Sequence, residues 1–195
     1  MKKILLIIII IFLTGCYNYT EINDLAFISS IGIDYNKTNE KFIVTYEILN
    51  DNSTGEGKIN KSYTISAEGK NITDAFNNTS LKVNNKPYFY HLKIIAIDET
   101  ISKKHMKDVV DYILRNPDVK NEFFLILIKN AKAKDILDKS DEVDPDIGKK
   151  IYKMIKSNEV QNNISIDQNF EATTRFFANN LSNALLNTFT LNDKD

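Results

Sequence analysis

One cysteine, two histidines, three prolines and no tryptophan occur in the 195 residues of this chain. A lone thiol excludes an intrachain disulfide framework and any multi-cysteine zinc or iron–sulfur site. Two imidazoles and one thiol also make no His/Cys cluster for a transition metal. A surplus of charge is missing too. With 25 Lys+Arg against 26 Asp+Glu the formal charge is −1, so the broad basic surface of a nucleic-acid binder is absent. The six glycines are scattered, and no P-loop, GxGxxG or GxSxG motif is present. Without tryptophan, stacking platforms for a sugar would have to come from tyrosine and phenylalanine. This inventory points to no enzyme.

Long apolar runs are lacking as well, with one exception. Met1-Lys2-Lys3 is followed by ten unbroken apolar residues, 4–13. Ten helical residues rise about 15 Å, half of a ~30 Å hydrocarbon core, which is too short for a good membrane span. A charged start, a short apolar stretch and then small residues have the shape of a secretory signal. Leu13-Thr14-Gly15-Cys16 resembles the bacterial lipobox, in which the cysteine thiol takes a diacylglycerol and becomes residue one after cleavage. The thiol must be the best nucleophile at the membrane surface, and small neighbours let the processing enzymes reach the backbone. Loss of residues 1–15 leaves 23 basic against 26 acidic residues, a formal charge of −3. An acidic body does not adhere to an anionic leaflet, so the lipid must anchor it. One acyl chain binds only marginally, with K on the order of 10⁴ M⁻¹, whereas two hold stably. No cofactor other than this covalent lipid is expected, with further acylation possible at the new amino terminus.

The expected organisation is a signal peptide (1–15), a lipid-anchored leader (16–24) and one α+β domain (25–191), a mixed β-sheet with helices packed on it. The apolar segment 25–33 reads as a buried strand and 35–40 as a turn. Phe42, Val44, Tyr46 and Ile48 alternate with Ile43, Thr45 and Glu47 as a period-two strand. Residues 50–60 suit an exposed loop, and 62–69 suit another strand. Ile72, Ala75, Phe76 and Thr79 fall at helical spacing over 71–83. Residues 88–97 read as one central strand carrying His91. Met106, Val109, Val110, Ile113 and Leu114 mark an amphipathic helix from about 102, stopped by Pro117. Residues 122–129 read as a strand covered on both faces and 131–137 as a helix. Asp144-Pro145 opens another helix as cap and first-turn proline. Phe170, Phe177, Leu181, Ala184 and Leu185 predict a final helix.

Candidate chemistry in the body is sparse. His91 sits among aromatics without an identifiable nucleophile or orienting acid, and reads as a hydrogen-bonded structural residue. His105, flanked by Lys103, Lys104 and Lys107, is expected in solvent. Asp138, Asp141, Glu142, Asp144 and Asp146 lack the spacing, glycine and terminal glutamate of an EF-hand loop. They read as a solvated connector with a helix cap. Tyr17 and Tyr19, beside the anchor, are candidates for contact at the headgroup level.

Several blocks, in order, resemble one family: the Ger(x)C lipoproteins, C subunits of bacterial spore nutrient-germinant receptors. They are Leu13-Thr14-Gly15-Cys16-Tyr17, Glu21-Ile22-Asn23-Asp24-Leu25-Ala26 and Ile31-Gly32-Ile33-Asp34. Gly69 with Thr73 and Ala75 follows, then His91-Leu92-Lys93-Ile94-Ile95-Ala96-Ile97, Leu114-Arg115-Asn116-Pro117-Asp118-Val119 and the segment 132–137. Family members are commonly longer, and the resemblance is to their N-terminal domain. It implies a membrane-anchored, non-enzymatic receptor subunit on the outer face of the spore inner membrane, beside integral-membrane partners. The competing reading is a generic surface lipoprotein that binds a small solute for a transporter. Such binders usually need two lobes, and no second lobe is evident. A secreted hydrolase is disfavoured by the missing nucleophile constellation.

Overall fold

The computed structural model describes residues 21–49, 62–120, 122–139, 145–162, 169–171, 173–174 and 186–191. Among these residues seven strands form one mixed sheet: β1 (Leu25–Asn36), β2 (Lys41–Ile48), β3 (Tyr63–Gly69), β4 (Lys86–Tyr88), β5 (Ile94–Asp98), β6 (Phe124–Lys129) and β7 (Asn187–Thr190). The order is β3-β2-β1-β5-β6-β7, with β4 pairing with the start of β1. The β1–β2–β3 ladder is antiparallel, and β1–β5–β6–β7 is parallel. The α+β class with a mixed sheet is therefore as expected.

Alternation along the central strands divides the core between two faces. Ile31, Ile33, Ile95, Ile97 and Leu125 pack with α1 (Ile72–Lys82) and α2 (Met106–Arg115) on the first face. Ile94, Ala96, Phe124, Ile126 and Ile128 pack with α3 (Ala133–Leu137) and α4 (Ile147–Asn162) on the second. Full burial of each of the Ile, Leu and Phe side chains among them contributes roughly 1.5–3 kcal/mol before the cost of chain ordering. Buried on both sides, β5 and β6 read in sequence as the near-continuous apolar runs typical of parallel strands.

The helices obey local signals. Asn71 caps α1 by accepting from the Asp74 N–H at 2.8 Å, and Ile72, Ala75, Phe76 and Thr79 form its buried stripe. Helical conformation begins at Glu99, a little before the expected start. It passes through a π-type turn at Ile101–His105 into α2 and ends at Asn116, which is extended ahead of Pro117.

Three features differ from expectation. The single strand expected over 88–97 is two, β4 and β5. Between the pairs Phe27↔Tyr88 and Ser30↔Ile94, β1 advances three residues and its partner six. The surplus leaves the ladder as a turn closed by the Leu92 N–H on the Phe89 carbonyl (3.1 Å), and His91 sits in that turn rather than in a strand. Helix α4 starts at Ile147 rather than at Pro145, and Asp146 caps it, accepting from the Lys149 N–H at 2.8 Å. The edge strand β7 had no counterpart in the sequence reading, because Asn187-Thr188-Phe189-Thr190 is too short and polar to signal one. Of the expected last helix, Phe170, Glu171, Thr173 and Thr174 are helical, and residues 175–185 lie outside the described residues. So does the loop expected at 50–60.

Candidate functional site

Among the described residues the sheet carries three buried carboxylates, each placed at the first turn of a helical segment. Asp34, on β1, accepts from the Ala133 and Lys134 N–H groups at the start of α3 (2.7 and 3.0 Å). Asp98, at the end of β5, accepts from the Ile101 N–H (2.7 Å) ahead of α2 and from the Tyr35 N–H (3.0 Å). Glu47, on β2 and fully buried, receives the start of α4. Its Oε1 accepts from the Ile147 N–H (2.7 Å) and the Ser62 hydroxyl (2.9 Å). Its Oε2 accepts from the Gly148 N–H (3.0 Å) and the Ser30 hydroxyl. The first N–H groups of a helix lack partners within it and carry partial positive charge, so a carboxylate satisfies both needs. Four donors fill the acceptor capacity of Glu47. None of that capacity is left for a substrate.

A β-bulge prepares the seat for α4. Register shifts between Ile28 and Ser30, so Ser29 is the extra residue and two consecutive serines serve one helix start. The Ser30 hydroxyl donates to Glu47 and the Ser29 hydroxyl to Asp146. Gly148 is what lets the helix approach. A Cβ there would lie 2.0 Å from Ser30 Oγ and 2.9 Å from Ser29 Oγ.

Burial raises the pKa of Asp34 and of Glu47 despite their donors. Asp34 is pushed up from 3.8 to about 6 by desolvation, against the pull of the Lys134 and Ala133 N–H groups. Desolvation raises Glu47 as well, opposed mainly by the Ser30 hydroxyl. A carboxyl whose pKa is higher in the folded chain holds more protons there than in the unfolded chain between the two values. Its contribution to stability is therefore full below 3.8 and is lost as pH rises to about 6. For Asp34 alone the loss amounts to about 3 kcal/mol at full extent. Urea unfolding at a series of pH values should show stability falling across that window, with a smaller fall in Asp34→Asn. Equal slopes in the two proteins would rule out Asp34 as the source.

Both histidines make contacts with aromatic rings. His91 is exposed and contacts Phe27 edge-on (centroids 5.5 Å), Tyr88 and Tyr90. His105 is half-buried rather than solvated: it stacks on Tyr35 at 4.3 Å and meets Phe42 edge-on at 5.0 Å. Its lysine neighbours do face solvent, and only the chain's periodicity could have shown that the ring turns inward. The Arg115-Asn116-Pro117 block ends α2 and closes a turn, with Asn116 Oδ1 accepting from the Asp118 N–H at 3.0 Å. Beside it an open cleft of about 680 Å³ is lined by Phe42, Asn71, Thr73, Tyr112 and Arg115. Arg115 is paired with Asp111 at 3.0 Å.

Other residues named from the sequence fall as follows. Leu13, Thr14, Gly15, Cys16, Tyr17 and Tyr19 lie outside the described residues, as do Asp141, Glu142 and Asp144. Asp138 accepts from the Thr64 hydroxyl and Asp146 caps α4. No three His, Cys, Asp or Glu side chains come together to hold a metal among the described residues. Nor is any described helix long and apolar enough to cross a membrane. Sequence reasoning missed Asp34 and Glu47 as moorings. The signal available was an acid in an otherwise apolar or alternating strand.

Residues 18–191 match the family described as the spore germination protein N-terminal domain. The chain is similar to spore germination protein KC of Bacillus subtilis, at 30% identity over 170 residues, covering 81% of this chain and 40% of that protein. It is 33% identical over 144 residues to the putative spore germination protein YfkR of the same organism, covering 70% and 37% of the two chains. Spore germination protein GerQC of Bacillus cereus is 26% identical over 159 residues, covering 81% and 43%. The chain thus spans about two-fifths of the length of these relatives. No solved structure matches it significantly.

Proposed function

We propose, from the premise that this chain belongs to the spore germination protein N-terminal domain family, that it is a lipid-anchored, non-enzymatic subunit of a spore nutrient-germinant receptor. It contributes to germination through protein–protein contacts at the membrane, beside integral-membrane receptor subunits. The observation that carries the reading is the family match over residues 18–191 set directly behind Leu13-Thr14-Gly15-Cys16. The thioether on Cys16 holds the processed chain on the outer face of the cytoplasmic membrane, which in a spore is the inner membrane. Tyr17 and Tyr19, with amphipathic rings next to the anchor, rest among the headgroups. The engagement of Glu47, Asp34 and Asp98 with backbone donors supports a structural rather than a catalytic use of the buried acids.

Cys16→Ser should abolish the lipid mass on the chain and move it from the membrane to the soluble fraction. An unchanged membrane fraction would refute lipid anchoring. Affinity capture of the wild-type chain from detergent-solubilised spore membranes should bring down multi-span receptor subunits. Their absence from the eluate, with the chain itself recovered, would overturn the receptor assignment.

A further inference from the structure

The chain enters the fold at the amino-terminal end of β1, and that end carries a group of rings, with Tyr63, Tyr90 and His91 exposed and Phe27 and Tyr88 half-buried. Tyr88 stands edge-on to Phe27 (centroids 5.7 Å) and stacks with Tyr90 (6.0 Å, 17°). Tyr90 is 56% exposed, and the Lys120 ammonium lies 3.9 Å above its ring. Around a cleft at the same end, Ile22 is 68% and Tyr63 47% exposed. The Asn85 amide donates to the Asn23 carbonyl at 2.8 Å, tying the entering chain to β4. Exposed charges of both signs stand among these groups: Lys86 and Lys120 against Glu21, Asp24 and Glu122.

We infer that this end of the domain lies in the lipid headgroup region, with Ile22, Tyr63 and Tyr90 in direct contact with the bilayer surface. The inference rests on the proposed anchoring at Cys16. From Cys16 to Glu21 is five residue steps, which span at most about 17 Å even when fully extended. The end where the chain enters therefore stands no more than about 17 Å from the anchoring thioether, and so cannot stand far from the acyl chains. The far end of β1, eleven residues on, is about 36 Å away. Tyrosines with an apolar body and a polar tip suit a zone that is greasy on one side and wet on the other. Lysine stems can lie along apolar surface while their ammonium groups reach phosphates. Because the charges nearly balance, contact depends on the rings and Ile22 rather than on anionic lipid.

The single native cysteine makes a direct test possible, since acylation of Cys16 leaves an introduced cysteine as the only free thiol. Full-length Tyr90→Cys, Tyr63→Cys and Lys37→Cys variants, each carrying an environment-sensitive fluorophore, would be anchored in phosphatidylethanolamine/phosphatidylglycerol vesicles containing headgroup-region nitroxide lipid. Lys37 lies in the turn between β1 and β2, at the opposite end. Labels at 90 and 63 should be blue-shifted and strongly quenched, and the label at 37 should be neither. Removing phosphatidylglycerol should leave this pattern in place. If the chain is lipidated and vesicle-bound but the labels at 90 and 63 behave like that at 37, the inference fails while anchoring stands. That outcome would leave the end free for a protein partner. A chain without lipid mass would overturn the anchoring and the inference with it.

Discussion

Glu47→Leu should destabilise the domain by about 3–5 kcal/mol, because four buried donors lose their acceptor at once. These are the Ser30 and Ser62 hydroxyls and the Ile147 and Gly148 N–H groups. Leucine fills much of the volume and removes a desolvated acid, which offsets part of the cost, yet it can accept nothing. For a chain of this size the loss corresponds to a fall in Tm of roughly 10–15 °C. Glu47→Gln keeps one oxygen but turns an amide donor toward donors, and should fall between leucine and the wild type. Thermal unfolding followed by circular dichroism gives the ranking. Hydrogen exchange should show the loss concentrated in α4. A leucine variant as stable as the parent would mean that the α4 start is satisfied by other groups.

Gly69→Ala is the second large effect. A Cβ at Gly69 would fall 2.1 Å from the Ala75 nitrogen and 2.6 Å from the Asp74 carbonyl carbon. These are backbone atoms of the first turn of α1, so the helix itself must move. Moving it also strains Thr79, whose hydroxyl donates to the Val44 carbonyl at 3.0 Å. A cost near or above the usual overpacking range of about 1–3 kcal/mol follows. Gly32→Ala provides the contrast. Its nearest neighbour would be Leu137 Cδ1 at 3.2 Å, the flexible end of a side chain, so the penalty should be small. Urea midpoints in the order wild type, Gly32→Ala, Gly69→Ala test the argument. Reversal of the two glycine variants would refute it.

Much of this architecture was legible because periodicity is local. The alternation of Phe42, Val44, Tyr46 and Ile48 and the helical spacing of Ile72, Ala75, Phe76 and Thr79 both follow from one face meeting a core. What alternation cannot show is whether the other face is covered too. Thr45 and Glu47 look like the solvent side of a strand until α3 and α4 close over them. The split of the 88–97 segment was equally hidden, since it depends on register against β1 rather than on the composition of Tyr90 and His91. The lipobox is the opposite case. Its chemistry is written in linear spacing, from Leu13 to Cys16, and owes nothing to tertiary contacts. Asp34 was noted only as part of a block of resemblance, and its role emerges from α3, about a hundred residues downstream in the chain.

That separation bears on the order in which the chain can assemble. The helix-start N–H partners of Asp34 and Glu47 lie 99 to 101 residues further along the chain. While synthesis is incomplete, the β1–β2 hairpin can form with its first face collapsing onto α1. Its second face must then keep two ionised side chains hydrated until residues 133–148 have emerged. Closing loops of that length is entropically costly and slows folding. Docking of α3 and α4 thus has to follow formation of the hairpin that carries their acceptors. Until then the half-built sheet presents charged groups where a sticky apolar surface would otherwise invite association with other chains. The same acids that make the finished domain pH-sensitive would keep its precursor soluble.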